Sequence, residues 1–265
     1  SYMMKDNRSV GYDRISRIYD VSRAANAETV DKLVRLLNVN SERMLLDLGC
    51  GTGNYTAALS KTVKSVIGLD ISKGMIEQAR AKFPVLRFLC GDVTNLPFDS
   101  QTFDGAFAIQ ALHHVKKKEV FLSEAHRVLR KGACIAIHSC SHKQMRSSWY
   151  YHYFPKGLEV DLARIPDSGE IASLLERAGF SNIGIEICYT DVGVAYETPE
   201  RYLDRNYRES ISTFAFLKKE DIESGCEKLL HDIASGVAKK IVRKAEANVA
   251  RVGGSSIIYG QKGSF

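Results

Sequence analysis

Hydrophobic and polar positions along the chain follow two alternating periods. Short apolar runs predict buried strands over residues 43–48, 65–70, 85–92, 103–112, 132–139, 182–190 and 255–263. Before the first strand and between later ones, apolar residues three and four positions apart predict helices over residues 28–37, 56–63, 72–83, 117–129 and 168–180. Strands separated by single helices are typical of βαβ units. The pattern therefore predicts an α/β fold with a doubly wound, mostly parallel sheet of seven strands.

Two stretches, 140–167 and 191–254, interrupt this alternation. The first contains the aromatic segment "SSWYYHYF" (147–154), and the second is predicted to form two or three helices. Near its end, apolar residues form one helical stripe: Cys226, Leu229, Leu230, Ile233, Val237, Ile241, Ala245 and Val249. The basic residues off that stripe, which we interpret as a solvated face, are Lys239, Lys240, Arg243 and Lys244. We predict a single domain, 1–265, with helical insertions after strand 5 and between strands 6 and 7.

A glycine-rich loop, Gly49-Cys50-Gly51-Thr52-Gly53, follows the first strand and precedes a helix. Glycines allow positive φ and close approach of a ligand to the backbone, and a helix start offers free N–H groups. Dinucleotide enzymes use such a loop, but their spacing is G-x-G-x-x-G. Asp47 stands two residues before the first glycine, where it would repel a pyrophosphate and attract a cation. This favours S-adenosylmethionine, which carries an ammonium and a sulfonium, over the alternative of NAD.

Acidic residues follow the next two strands. Asp70 ends the second strand, where an acid takes ribose hydroxyls in nucleotide-binding sheets. Asp92 follows the third strand and can accept a hydrogen bond from an adenine amino group. With these acids, the chain resembles the class I S-adenosylmethionine-dependent methyltransferases with a Rossmann-like sheet. It is most similar to the type 11 group, related to the ubiquinone and menaquinone biosynthesis methyltransferases. The matching segments are "LLDLGCGTGNYT", "VIGLDIS", "FLCGDVTNLPFDSQTFDGAFAIQALHHV" and "RVLRKGACIAI".

The resemblance implies which residues bind S-adenosylmethionine. The glycines would line its methionine end with Asp47 near the amino group, Asp70 would hold the ribose, and Gln110 would lie beside the sulfonium. The full set is Tyr19, Asp47, Gly49, Cys50, Gly51, Thr52, Gly53, Asp70, Ile71, Met75, Gly91, Asp92, Val93 and Gln110. Segment 1–27 resembles a lid over the donor, with Tyr12 and Tyr19 as lid residues and Tyr12 near the acceptor. Ordinary packing of an N-terminal helix is the alternative.

Methyl transfer is an in-line displacement that requires alignment and exclusion of water, and in some cases a general base. His113 and His114 follow the fourth strand, so either is a candidate base, with a structural role at the pocket rim as the alternative. His138, Cys140 and His142 alternate along the chain, but no carboxylate lies near them. We therefore predict no metal.

The aromatic segment follows the fifth strand, at the sheet edge where ligands bind in α/β proteins. In the family, insertions at this place form the cap over the acceptor, so 140–167 and 191–254 would be acceptor-cap insertions. At helical spacing, Trp149, Tyr153 and Phe154 share a face while Tyr150 and Tyr151 point elsewhere. We predict that at least one of Trp149, Tyr150 and Tyr153 contacts a small apolar or aromatic acceptor. A carboxylate-bearing acceptor is also compatible with the sequence, because four arginines could pair with the carboxylate: Arg146, Arg164, Arg201 and Arg205.

Composition bounds the alternatives. The chain has 265 residues, 45% of them hydrophobic, and a net charge of +6. It has no long apolar run, and its six cysteines are scattered without a C-x-x-C pair. These features predict a cytoplasmic protein with reduced thiols. The positive charge keeps a tRNA or other RNA methyltransferase as the alternative function.

Overall fold

A computed structural model describes residues 24–191 and 198–264. Tyr12, Tyr19 and most of the predicted lid segment lie outside the described residues. The strands are β1 (Met44–Leu48), β2 (Ser65–Asp70), β3 (Arg87–Cys90), β4 (Phe103–Ile109), β5 (Leu129–Ser139), β6 (Phe180–Cys188) and β7 (Ser255–Lys262). They form one seven-stranded sheet in the order β3-β2-β1-β4-β5-β7-β6, and the pairs from β3 to β5 are parallel. The predicted α/β fold is confirmed.

The helices include all five that the periodicity predicts. They are α1 (Ala27–Leu36), α2 (Asn54–Ser60), α3 (Lys73–Lys82), α4 (Lys118–Val128), α5 (His142–Arg146), α6 (Tyr150–Tyr153), α7 (Pro155–Arg164), α8 (Ser168–Arg177), α9 (Arg205–Glu209), α10 (Lys219–Ser235) and α11 (Val237–Val252). Short 3-10 turns cover Leu112–His114, Pro199–Leu203 and Ser212–Phe216. None of the helices described combines the length and the apolar character that a membrane crossing would need.

The chain divides into two compact units. The first contains the residues up to Ser139, Ser168–Glu186 and the residues from Ile257 onward; the second contains Cys140–Asp167 and Ile187–Ser256. In the first unit, fully buried side chains of β1 and β4 such as Leu46, Leu48 and Ala106 pack with Phe121 of α4. In the second unit, the core is mainly aromatic. Each unit thus has a hydrophobic core of its own.

The predicted continuous apolar stripe through residues 226–249 is wrong in one respect. Gly236 adopts a left-handed conformation with φ 80° and separates α10 from α11. Because the two helices do not share an axis, the stripe is interrupted. Leu229 is fully buried, whereas Leu230 is 58% exposed and Val237 is 39% exposed. A glycine with positive φ ends a helix at little steric cost, and helical periodicity alone does not reveal this.

The fourth strand is shorter than predicted. It ends at Ile109 because Gln110 adopts φ 51°, and the chain then enters the 3-10 turn Leu112–His114. The backbone N–H of Gln110 donates to the carbonyl of His138 at 3.0 Å, so Gln110 is still hydrogen-bonded to β5. This turn places Gln110, His113 and His114 just beyond the carboxyl end of β4.

Candidate functional site

The loop between β1 and α2 is a left-handed turn made by three glycines. Gly49, Gly51 and Gly53 have φ of 75°, 56° and 88°. The N–H groups of Gly49 and Cys50 donate to the carbonyl of Leu69 on β2, at 2.8 and 3.0 Å. Positive φ is unfavourable for residues that carry a Cβ atom, and this loop requires it at three alternate positions, which explains the G-x-G-x-G spacing.

Steric contacts distinguish the three glycines. A Cβ atom on Gly49 would lie 2.6 Å from Cβ of Ala111, and one on Gly53 would lie 2.6 Å from Cζ of Phe88. A Cβ on Gly51 would meet nothing within 4 Å. Gly49 and Gly53 are therefore required for packing, whereas Gly51 leaves open space above the loop for a ligand.

Asp70 fixes the loop from the end of β2. Its Oδ2 accepts a hydrogen bond from the N–H of Gly51 at 2.9 Å, and its Oδ1 accepts one from the N–H of Ser72 at 2.9 Å. Burial raises the pKa of this carboxyl, and both backbone hydrogen bonds act in the opposite direction. Beside it, Ile71 is 70% exposed although it is apolar. Asp70 thus joins the glycine loop to the start of α3.

Asp47 is the most buried acid of the loop region, with 1% of its surface exposed. Its Oδ2 accepts a hydrogen bond from Oγ1 of Thr56 at 2.6 Å, while its Oδ1 is buried without a partner. Burial raises its pKa to about 7, and the nearby charge of Asp70 contributes in the same direction. A buried carboxylate oxygen without a partner is costly, and a cation that pairs with it would remove that cost.

The third and fourth strands supply polar groups at the same edge of the sheet. Asp92 follows β3, and its Oδ1 accepts hydrogen bonds from N–H and Oγ1–H of Thr94, at 2.8 and 2.7 Å. After β4, Nε2 of Gln110 lies 3.3 Å from Nδ1 of His138. Because β3, β2, β1 and β4 are adjacent and parallel, their carboxyl ends lie in one row. The strand order changes direction at β1 and β4, where open α/β sheets bind ligands.

The comparisons with known proteins agree with this geometry. A family model described as "Methyltransferase domain" matches residues 46–137. A second, for protein-L-isoaspartate(D-aspartate) O-methyltransferase, matches residues 2–89. Among curated proteins, the O-methyltransferase cnsE of Penicillium expansum is 32% identical over 66% of this chain and 67% of its own length. Demethylmenaquinone methyltransferase of Staphylococcus epidermidis is 30% identical over 67% of this chain and 83% of its own length.

The chain belongs to the class I S-adenosylmethionine-dependent methyltransferases, in the type 11 group. It is therefore an S-adenosylmethionine-dependent methyltransferase, and the alternative of an NAD-dependent enzyme is set aside. A solved methyltransferase from an antibiotic biosynthesis pathway of Anabaena variabilis is similar over 90% of this chain and 98% of its own, with 26% identity and a TM-score of 0.74.

In this methyltransferase, the predicted donor residues within the described part of the chain lie on the loops that follow β1 to β4, or close to them. Thr52 and Met75 are buried, Gly91 and Val93 are half-buried, and Asp92 is exposed. Lys82, which the sequence analysis does not single out, contacts the loop region: its Nζ lies 3.4 Å from Oγ1 of Thr52 and also donates to Asn54. The signal for Lys82 is weak, because it is a single lysine at the end of α3.

The histidines of the methyltransferase lie in different surroundings. The rings of His113 and His114 are in contact, with centroids 4.0 Å apart. Cys140 donates to the carbonyl of Gly254 at 3.2 Å, and Nε2 of His142 lies 2.6 Å from the carbonyl oxygen of Ile165. Over residues 24–191 and 198–264, no three His, Cys, Asp or Glu side chains are grouped as metal ligands would be.

The aromatic segment forms the core of the second unit of the methyltransferase. Trp149, Tyr153 and Phe154, which helical spacing places on one face, are buried, and Tyr150 and Tyr151 are buried as well. The single turn α6 therefore packs on several sides within one aromatic cluster. Leu229 of the predicted apolar stripe belongs to this cluster, and residues that sequence reasoning missed complete it: Tyr202, Tyr207, Ile211 and Phe214.

A buried hydrogen-bond network lies within this aromatic core. Oδ2 of Asp161 accepts hydrogen bonds from the hydroxyls of Tyr151 at 2.6 Å and Thr213 at 2.7 Å. The hydroxyl of Tyr153 donates to Oδ2 of Asp232 at 2.8 Å. Burial, together with the neighbouring acids, raises the pKa of Tyr151 and of Tyr153. These phenols therefore remain protonated and act as hydrogen-bond donors.

Arginines of the second unit are mostly engaged with its own groups. Nε of Arg164 donates to Asp161 at 2.8 Å, and its NH2 group donates to Oγ of Ser212. Arg205 pairs with Glu209 at 2.9 Å, and Arg201 lies over the ring of Tyr207. Arg164, the most enclosed of them, is thus committed to internal contacts and does not offer a free cation to a carboxylate.

Proposed function

We propose that this methyltransferase transfers the methyl group of S-adenosylmethionine to a small molecule with an aromatic or apolar body. The observation that carries the donor assignment is the partnerless Oδ1 of Asp47, buried beside the left-handed glycine loop. The acceptor class is supported by the aromatic core of the second unit and by the names of two relatives, an O-methyltransferase and a demethylmenaquinone methyltransferase.

Asp47 and the loop fit the methionine end of the donor. An ammonium group would pair with the buried carboxylate of Asp47 and lower its pKa. The open space at Gly51 would admit the donor against the backbone. Asp70 would accept from the ribose hydroxyls while its backbone contacts hold it in place. Ile71 and Met75 would lie beside the ribose, and Gly91, Asp92 and Val93 would frame the adenine.

S-adenosylmethionine supplies a methyl carbon already activated by its sulfonium. The residues of this chain then need only align the acceptor in line with that carbon and exclude water. Gln110 is proposed to lie beside the sulfonium, with its orientation set by His138. His113 or His114 is proposed as general base for an acceptor that must lose a proton.

Two measurements test this proposal. Isothermal calorimetry is expected to show S-adenosylhomocysteine binding to the wild-type protein and no binding of NADH. A screen of metabolite extracts with methyl-labelled S-adenosylmethionine is then expected to yield a labelled product of low molecular mass. Label found only in the RNA fraction would reject the small-molecule acceptor and leave the donor assignment intact.

A second candidate, methylation of RNA, is favoured by the basic side chains of α11. The exposed cations on that helix are Lys239, Lys240, Arg243, Lys244 and Arg251. Among the described residues, none of the five forms an ion pair, so their charge faces solvent. If α11 binds RNA, replacing the first four with glutamine would weaken tRNA binding and reduce its dependence on salt. Unchanged affinity and salt dependence would reject this function.

A further inference from the structure

Three buried polar atoms of the described side chains have no hydrogen-bond partner. One is Oδ1 of Asp47, beside the glycine loop. The other two, Oγ of Ser148 and Nε1 of Trp149, belong to adjacent residues at the start of the aromatic segment. Trp149 is 2% exposed, so its indole is shielded from bulk solvent. Leaving such a group unpaired costs roughly 1–3 kcal/mol.

Other buried hydroxyls of the second unit have hydrogen-bond partners, in contrast to these two groups. The hydroxyls of Tyr151 and Tyr153 donate to Asp161 and Asp232 at 2.6 and 2.8 Å. The hydroxyl of Ser210, also buried in the second unit, donates to the carbonyl of Tyr207 at 2.6 Å. Proteins normally pair buried polar side chains, and an ordered water or an atom of a ligand can supply the partner that these two neighbouring residues lack.

We propose that Trp149 and Ser148 hold a hydrogen-bond-accepting oxygen of the methyl acceptor within the second unit. The inference rests on the proposed function, and it narrows the acceptor to an aromatic or alicyclic molecule that carries a carbonyl or phenolic oxygen. An indole N–H can only donate a hydrogen bond, so it selects a ligand atom that accepts one. The rings of Tyr202 and Tyr153 meet the indole edge to face, with centroids 4.9 and 6.2 Å away, and provide apolar surroundings for the ring.

The specificity follows from the same chemistry. A ligand of the same shape without the oxygen would leave the indole N–H and the hydroxyl unpaired. Sites built to hydrogen-bond a polar group reject analogues that lack it, because the site's buried polar atoms then remain unsatisfied. Discrimination between a ketone and its parent hydrocarbon is therefore the property that distinguishes this site from an ordinary apolar core.

Trp149 is the only tryptophan of the chain, which makes the test direct. In a proton–nitrogen correlation spectrum of the wild-type protein saturated with S-adenosylhomocysteine, one indole N–H resonance is expected. Titration with 1-tetralone is expected to move this resonance downfield and to saturate, whereas tetralin, which lacks the carbonyl, leaves it in place. An indole resonance that neither compound moves would overturn the inference.

Two serine variants provide a matched comparison. Ser148→Ala removes the hydroxyl without a partner and is expected to weaken 1-tetralone binding about tenfold, which corresponds to one hydrogen bond of about 1.4 kcal/mol. Ser210→Ala removes a buried hydroxyl that already has a partner in the same unit, and is expected to leave the affinity unchanged. Equal affinities in the two variants would remove Ser148 from the site.

Trp149→Phe keeps an aromatic ring and removes only the N–H donor. It is expected to bind 1-tetralone about tenfold more weakly than the wild type and to keep only the preference over tetralin that Ser148 provides. If this variant does not fold, the wild-type titration still decides the matter. The calorimetry of S-adenosylhomocysteine separates the two proposals. Donor binding without any response of the indole rejects the oxygen site alone, while absent donor binding rejects the proposed function.

Discussion

The glycine loop and the aromatic core of the second unit use polar groups in opposite ways. In the loop, the hydrogen bonds run from backbone N–H groups to Asp70 and Leu69, over about 20 residues of sequence. In the aromatic core they join side chains far apart in the sequence, such as Tyr153 and Asp232, 79 positions apart. The loop can therefore be predicted from a short sequence motif, whereas the contacts of the core depend on how helices that are distant in the sequence pack together.

The largest expected effect concerns the core of the second unit. Trp149→Ala removes a fully buried ring and is expected to lower the free energy of unfolding by about 3–5 kcal/mol, because a cavity replaces its packing. Affinity for S-adenosylhomocysteine is expected to remain within about twofold, since the loop keeps all its contacts. Guanidinium unfolding and calorimetry measure the two quantities.

The control for this prediction is Leu230→Ala in the same unit. Leu230 is 58% exposed, so its loss is expected to change stability by less than about 0.5 kcal/mol. A drop in donor affinity in Trp149→Ala as large as the drop in stability would contradict the distinction between the two regions.

The next effect concerns the protonation of Asp47. Its pKa is raised from 3.8 to about 7 in the folded protein, so folding binds a proton at intermediate pH. The stability that this group contributes is fully present below pH 3.8 and is lost as the pH rises through 7. Asp47→Asn has no such dependence. Its unfolding free energy relative to the wild type is expected to increase by about 2 kcal/mol between pH 5.5 and 7.5.

Urea unfolding across this pH range measures the difference, and a flat difference would contradict the raised pKa. Thr56→Val serves as a control, because the hydrogen bond from Thr56 lowers the pKa of Asp47. In Thr56→Val the pKa of Asp47 is therefore expected to rise further, so the unfolding free energy of this variant falls more between pH 5.5 and 7.5 than that of the wild type. If the donor ammonium pairs with Asp47, binding at pH 7 is expected to release roughly half a proton. Calorimetry in buffers of different ionisation enthalpy detects this release.

The sequence predicted the sheet and the donor loop because their signals are local. The apolar runs mark the strands, and G-x-G-x-G with Asp47 marks the loop within seven residues. It did not predict the burial of Tyr150 and Tyr151, because helical spacing assumes a longer helix than the single turn of α6. The break at Gly236 was missed for a related reason. A left-handed residue changes the direction of the chain without disturbing the hydrophobic period.

A smaller effect separates two aspartates of the first unit. Asp70→Asn is expected to weaken binding of S-adenosylhomocysteine about tenfold, because a neutral amide accepts more weakly from ribose hydroxyls and from the N–H of Gly51. Asp104→Asn is the matched control. Oδ2 of Asp104 also accepts a backbone N–H, from Met44 at 2.8 Å, but it lies at the amino ends of β1 and β4. Its replacement is expected to leave donor affinity unchanged, and equal losses in both variants would reject Asp70 as a donor ligand.

The smallest effect compares one left-handed glycine from each unit. Gly51 and Gly236 have φ of 56° and 80°, and an added Cβ atom meets nothing within 4 Å at either position. Replacement by alanine therefore imposes a similar backbone strain, of roughly 1 kcal/mol, at both sites. Only Gly51 lies where the donor is proposed to approach the backbone. Gly51→Ala is expected to weaken binding of S-adenosylhomocysteine about fivefold, or 1 kcal/mol, and Gly236→Ala to leave it unchanged.

Thermal unfolding of the two variants shows whether their strain is matched, and calorimetry then isolates the effect on binding. Because the stability losses are expected to be alike, a difference in donor affinity is attributable to the methyl group above the loop. Unaltered affinity in Gly51→Ala would show that the open space at this glycine is not used by the donor. The G-x-G-x-G spacing would then be explained by the packing of Gly49 and Gly53 against Ala111 and Phe88 and by the loop's own conformation.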